Sequence, residues 1–339
     1  MDNSVDQSPP CPPGNLVCAP LKGFPKTLAE TGLLGLVLPS PAHARPAAAR
    51  GYVPVPELYS DGLTKGRFML LPPGTRVNNQ NRAAWEFPVG VIFVKTFFDQ
   101  RAGSERPVET RLIRRGTDRF EPFEYAVYRW SDDGREATLL DISGNNHTAV
   151  MVSVAGRSFA HTIPSQNDCA ECHEKNARAA STIIGFDEIR LNHTAQASGG
   201  ETLLEAFAKA GVFSAPIPTM PAKIVDANPT LQRVKTFVFG NCVHCHHGQQ
   251  GVVDFRPDVL VANTVGKLPE SPGVTAPDGW ARVVPGVPEK SVLYVQARGT
   301  GLPNSLKPMP QIGVEVRDLP AFVDELDAMK AWITSLPAR

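Results

Sequence analysis

Apolar residues recur in two different rhythms along this chain. Between Gly51 and about Pro164 they alternate or run in short blocks, the mark of strands. Arg67 to Leu71 is one block, closed by Pro72, Pro73 and Gly74. Gly90 to Phe98 is nearly continuous apolar sequence and predicts a central strand covered on both faces, with Glu109 to Arg114 after it. Tyr125 to Trp130 and Glu136 to Leu140 flank Ser131-Asp132-Asp133-Gly134, a strong hairpin signal. His147 to Val154 and Arg157 to Ile163 make a further pair about a turn at Gly156. Short strands at this spacing predict a β-sandwich or a distorted barrel.

Elsewhere the period lengthens to that of a helix. Thr27 to Leu38 predicts a short one, with Thr27 as N-cap, Glu30 three residues on and Pro39 as the stop. Glu201 to Ala210 is amphipathic and ends at Gly211. A loop with Pro216, Pro218 and Pro221 leads to a helix from Thr230 to Gly240. Ala321 to Leu336 closes the chain, with Phe322, Leu326, Met329, Ile333 and Leu336 on one face and Trp332 beside them. Gly240 removes a side chain where that closing helix is expected to cross.

The 339 residues predict two or three domains, and 42% hydrophobic residues supply their cores. Thirty-two prolines and 28 glycines imply long loops around compact elements. Residues 1–20 are Pro-rich and polar and read as an irregular arm. Lys plus Arg balances Asp plus Glu, so nothing points to nucleic acid or an anionic membrane. No segment is long enough to span a bilayer. Thr31 to Ala44 imitates a leader peptide, but it lies behind Pro-rich sequence and lacks a basic start. The leader is therefore expected to have been removed ahead of Met1.

Six cysteines change this picture. Four of them form Cys169-Ala170-Glu171-Cys172-His173 and Cys242-Val243-His244-Cys245-His246, two copies of the CxxCH box that attaches a c-type haem. On a helix the two thiols and the histidine share a face, so the thiols reach the haem vinyl groups while the imidazole reaches the iron. A redox dithiol or half a zinc site also uses CxxC, but neither requires the histidine that follows both copies. Two covalently bound haem c groups are expected, with His173 and His246 as proximal ligands. Each imidazole should donate its other ring N–H to a backbone carbonyl. His244 and His247 are expected to face solvent or a haem propionate. Haem is attached to CxxCH outside the cytoplasm, which implies a periplasmic or otherwise exported protein. In that compartment Cys11 and Cys18 are expected to close a short loop as a disulfide, the alternative being two free thiols.

The helix entering the second box, the long Pro/Gly loop, Met309 between Pro308 and Pro310, and the closing helix resemble a cytochrome c domain over residues 226–339. The wider chain resembles a bacterial family of diheme c-type cytochromes first described as conserved hypothetical proteins. The resemblance rests on Leu58 to Gly62, Lys65 to Phe68, Leu71 to Gly74, Phe87 to Phe98 and Glu109 to Arg114. It continues through Ile163-Pro-Ser165, Ile184-Gly-Phe186, Leu191-Asn192 and Val284 to Ser291, and covers nearly everything from Pro25 onward. It implies an α+β protein: an N-terminal β-sandwich-like domain followed by two mainly α cytochrome c-like haem domains. The expected boundaries are 1–50 for the arm, 51–165 for the β-domain, 166–225 for the first haem domain and 226–339 for the second.

The sixth iron ligand decides between carrier and catalyst, because a filled site transfers electrons and an open one admits a small molecule. Met309 is the candidate for the second haem; flanking prolines stiffen its loop, whereas a core methionine would need none. For the first haem Met220, in the similar Pro-Thr-Met-Pro, ranks ahead of His193 and His161, with His147 also in reach and an open site last. No catalytic constellation is visible in residues 51–164, which read as a scaffold or docking surface. The leading expectation is a diheme electron carrier working between redox partners such as a cytochrome, a dehydrogenase or a terminal oxidase. The alternatives are a diheme peroxidase or oxidase with one open haem, and a docking subunit that accepts electrons from a dehydrogenase.

Overall fold

The computed structural model describes residues 16, 23–101, 103–117, 123–175, 183–194, 200–248, 252–269, 277–303, 306–311 and 314–337. Cys11 and Cys18, and the disulfide expected between them, lie outside these residues. Six strands form one antiparallel meander in chain order: β1 (Ala49–Gly51), β2 (Thr64–Leu70), β3 (Ile92–Arg101), β4 (Ser104–Arg115), β5 (Phe123–Trp130) and β6 (Ala137–Leu139). The predicted turns are where the sequence placed them: Thr75 N–H bonds the Pro72 carbonyl, and Ser131 N–H closes the β5–β6 hairpin on Glu136. A second antiparallel pair, β7 (Thr148–Val154) and β8 (Arg157–Ile163), turns at Ala155 and Gly156, both at positive φ.

β3 is the doubly covered strand that its apolar run predicts. Ile92 and Val94 face one core with Leu70, Leu112, Ala126 and Tyr128, and Leu28, Leu33, Leu34 and Leu36 cover it. The segment that imitates a leader is thus folded against the sheet. It does not form the predicted helix over Thr27 to Leu38. Thr27 and Glu30 make both reciprocal bonds of a capping box, yet only a single 3₁₀ turn follows, at Leu34–Leu36. Gly32 sits at positive φ, and the Leu33–Leu36 turn is spent on burial over the sheet.

The opposite face is divided in three. At one end Met69 and Phe93 share a core with Tyr52, Trp85, Phe87, Phe186, Phe207 and Phe213. At the other, Phe97 and Val127 pack under β7 and β8 through Val150, Val152 and Ile163. Between them runs a charged row: Arg67 pairs with Lys95 across β2 and β3, and Lys95 pairs with Arg111 across β3 and β4. The β-sandwich is therefore not formed. One six-stranded sheet is covered by a leucine-rich segment on one side and by a hairpin and helices on the other.

Seven helices complete the described residues: α1 (Gln166–Ala170), α2 (Glu188–Leu191), α3 (Leu203–Lys209), α4 (Pro229–Asn241), α5 (Leu260–Thr264), α6 (Val292–Arg298) and α7 (Pro320–Ser335). Only α4 and α7 exceed seven residues. They pack together through Val234, Phe237, Val238, Phe322, Leu326, Met329 and Ile333. The two mainly α cytochrome c-like domains are not what the chain builds. Eight strands in two antiparallel sheets frame the fold, and helix makes up 24% of it. Ile183, Phe186, Leu191, Leu204, Phe207 and Phe213 of the first expected haem domain pack on the sheet, and Val77 and Phe213 form an isolated parallel bridge. Periodicity marks which residues are apolar but not whose face they cover.

Candidate functional site

The first box begins on α1, directly after β8. Ser165 is the N-cap: its hydroxyl accepts from Asp168 N–H, and Asp168 accepts from Ser165 N–H in return. Gln166 N–H donates to the Ile142 carbonyl at 2.7 Å and Asn167 N–H to Gly144, fastening α1 to the β6–β7 loop. The helix then widens, so that Glu171–Lys175 is one π-helical turn and Cys172 and His173 fall on it rather than on a regular α-helix. His173 lies 5.9 Å from the Tyr125 ring on β5.

The second box ends α4. Asn228 caps that helix with its side-chain oxygen, Pro229 occupies the first turn, and Cys242 is the C-cap. His246 N–H returns to the Cys242 carbonyl at 2.9 Å, so the box is the turn that follows the helix. The His246 ring stacks on Phe255 at 4.7 Å and 25°. Its Nδ1 is buried without a hydrogen bond of good geometry. Burial and the neighbouring His244 push its pKa down to about 4, against the pull of the Val253 carbonyl, so the ring is a neutral donor at ordinary pH. Gly240 does make room for a close approach, but the visitor is not the closing helix. A Cβ there would stand 3.0 Å from the Glu57 carbonyl and 3.2 Å from Pro56, on the segment leading into β2.

The two boxes meet. Sulfur or nitrogen atoms of Cys172, His244 and Cys245 all lie within 4.8 Å of one another. The Cys172 thiol donates to the Cys245 sulfur: this bond, then burial, raises Cys172, and the same bond lowers Cys245. Burial alone pushes Cys242 up to about 12, and burial, against the pull of Arg111, does the same to Cys169. All four cysteines are free thiols. His244, expected to face solvent or a propionate, is half-buried; it lines a cavity with Cys169, Cys172 and His173, and its Nδ1 is buried with no hydrogen-bond partner among the described residues. The donor set fits two haem attachments: two thiols and an imidazole each, with His246 neutral and one ring nitrogen uncommitted. The cavity encloses about 150 Å³, below the roughly 300–1,000 Å³ of sites that hold large ligands. A haem on either box would therefore have to replace the contact between the boxes.

The candidate sixth ligands are scattered. Met220 is 84% exposed. His193 Nε2–H donates to the Val53 carbonyl, 2.7 Å away, and His147 bonds Asp168 at 2.6 Å. His161 is fully buried, with Nδ1 2.9 Å from Asp61 and Nε2 3.0 Å from Glu109. Burial opposes its charge, but the bonds to both carboxylates outweigh that and raise its pKa, so both ring nitrogens are donors and neither is left for iron. Glu109 is held down to about 2: burial opposes ionisation, and Arg111 and His161 overcome it. Met309 is half-buried, and its backbone is pinned: its N–H donates to Gln296 and its carbonyl accepts from Arg317 at 2.8 Å. Its neighbour Pro310 lines the cavity at the first box.

The sequence did not single out the cavity's other wall, where Arg67, Lys95, Arg111 and Tyr125 stand beside His161. The signal was present as a lone lysine inside the apolar run Gly90 to Phe98 and an arginine two positions after Glu109. No protein-family model, curated protein or solved structure matches this chain.

Proposed function

We propose that the chain is an exported electron-transfer protein carrying two haem c groups, one on Cys169, Cys172 and His173 and one on Cys242, Cys245 and His246. The observation that carries this reading is the meeting of the two boxes, 73 residues apart in sequence, at the Cys172–Cys245 contact. Two attachment sites held side by side suit a relay in which an electron enters at one site and leaves from the other. Haem supplies the one-electron chemistry when bound. The protein's residues do the rest. Each thiol would hold the haem by a thioether, its sulfur adding to one vinyl carbon and its proton to the other. His246, kept neutral by burial, would hold the iron through its free nitrogen. Met309, with its backbone fixed by Arg317, is the proposed sixth ligand of the second haem. His161, His147 and His193 are bonded elsewhere and Met220 is exposed, so a carrier with both sites filled would need one of them to move onto the first haem. No helix among the described residues is long and apolar enough to cross a membrane, and the proposed partners are redox proteins that exchange electrons with it.

The test is a pyridine haemochrome assay on the full chain made in a host that attaches haem c. Two haems per chain are expected, and Cys242→Ser should remove one; absence of covalent haem overturns the reading. Carbon monoxide bound by the reduced protein, followed by turnover of peroxide, would move the assignment from carrier to peroxidase.

A second reading rests on the same contact. Cys172, His244 and Cys245 form a three-donor site for a soft metal ion such as zinc. One zinc per chain with no covalent haem would select it.

A further inference from the structure

The sheet face turned toward the first box holds more positive charge than its own carboxylates answer. Arg67, Lys95 and Arg111 stand abreast on three neighbouring strands, and all three line the cavity that Cys169, Cys172 and His173 share. Glu57 accepts from Arg67 Nη2 at 2.9 Å and lies 3.6 Å from the Lys65 ammonium, so one carboxylate serves two cations. Glu109 takes the fork of Arg111, and His161 spends its two N–H groups on Glu109 and Asp61.

Two donors remain. Arg67 is 6% exposed, yet its Nη1 is buried and bonds nothing. Lys95 has no carboxylate within ion-pair distance among the described residues; its ammonium lies over the Phe97 ring, 4.6 Å from the centroid. Burial, then the like charges of Arg67 and Lys65, hold its pKa well below the ordinary 10.5. A guanidinium arm and an ammonium enclosed together without a counter-ion are costly. Neighbouring strands are ~4.8 Å apart, so the two donors stand at a spacing that suits two carboxylates on one edge of a ligand.

We infer that this row is a binding site for a ligand bearing two carboxylates, with Arg67 and Lys95 as its charged donors and Arg111 beside them. The two propionates of a haem on Cys169 and Cys172 are the favoured source, which rests on the function proposed above; a free dicarboxylate is the other. The row then does two things. It orients the group whose thioethers form at α1, and it places positive charge beside the redox centre, favouring the reduced state. Lys95 carries no salt bridge among the described residues, so replacing it by methionine removes a charge without orphaning any of their carboxylates.

The test is made on the full chain with both haems, in wild type, Lys95→Met and Arg67→Met. If propionates fill the site, redox titration shows one of two haems altered in Lys95→Met. At a fixed ambient potential its oxidised-to-reduced ratio rises roughly tenfold, the other haem is unmoved, and millimolar succinate leaves thermal unfolding unchanged. If a free dicarboxylate is the ligand, both haems keep their potentials, and succinate raises the unfolding temperature of wild type but not of Lys95→Met. Either result supports the site. Unmoved potentials together with no protection by succinate overturn it. A chain without covalent haem would sink the electron-transfer reading by itself, and the succinate measurement would still decide the anion site. Arg67→Met should repeat the Lys95→Met result; if it fails to fold, Lys95→Met alone decides.

Discussion

The same five-residue pattern, CxxCH, sits in two unlike surroundings. The second box is built on apolar packing: α4 lies on α7 through Phe237, Val238, Phe322 and Met329, and His246 stacks on Phe255. The first is built on polar bonds, with a capping box at Ser165, backbone ties to Ile142 and Gly144, and the network of Asp61, His161, Glu109 and Arg111 alongside. The motif fixes which atoms are offered. The wall it is pressed against fixes how those atoms titrate, and the two walls come from different parts of the chain.

Removing the apolar support should cost most. Phe322→Ala empties space at the α4–α7 contact, where the native side chain is 1% exposed. A loss of about 3–5 kcal/mol is expected in denaturant unfolding, with the sheet's hydrogen-exchange protection outlasting that of α4. A change confined to the sheet would show that the second box does not depend on this packing.

His161→Leu attacks the polar wall instead. It takes one donor each from the buried carboxylates of Asp61 and Glu109, which keep the Glu315 and Val316 amides and Arg111 respectively, and should cost about 1–3 kcal/mol. The pH profile sharpens the contrast. Glu109 is depressed from 4.5 to about 2, so its contribution is complete above pH 4.5 and lost as pH falls toward 2. His161 is raised above 6.5, so its contribution is complete below pH 6.5 and lost as pH climbs through the raised value. Wild type should therefore be flattest between pH 4.5 and 6.5, and the variant should lose the alkaline limb.

Gly240→Ala tests where the two regions touch. The new methyl meets the Glu57 carbonyl and Pro56, so a destabilisation of about 1–3 kcal/mol is expected; a neutral result would mean that the 56–57 segment gives way freely. Ser165→Ala removes one cap and should cost about 1 kcal/mol, read most clearly as faster amide exchange in α1. Smallest of all, Met220→Ala should leave stability within about 0.5 kcal/mol, as for other exposed positions. If the proposed haem on Cys169 and Cys172 changed its spectrum with the substitution, Met220 would have to leave its exposed place when that haem is bound.

What could be read from the sequence was local. The strands at 92–101, 104–115 and 123–130 and the hairpin turns at Ser131–Gly134 and Gly156 follow from alternation and turn residues. What could not be read was register and coverage. Arg67, Lys95 and Arg111 become neighbours only when three strands pair, and nothing in their spacing announces it. Leu33 to Leu36 carries a helix-like pattern, yet the sheet claims those residues and Gly32 ends the turn before a helix can form. The boxes announced themselves, but not their contact. His161, legible as a possible ligand, is withdrawn from that role by carboxylates at positions 61 and 109 that only the fold brings to it.

Asp61 has a consequence of its own. Held at positive φ, it accepts from His161 with one oxygen and from the Glu315 and Val316 amides with the other, at 2.6 and 3.0 Å. The last two donors lie 254 and 255 positions downstream. A chain growing from its N-terminus thus completes the sheet and both boxes long before it can satisfy that oxygen. That contact waits until residues 315 and 316 have been made, and a chain ending short of residue 315 would lack both amide donors of this oxygen.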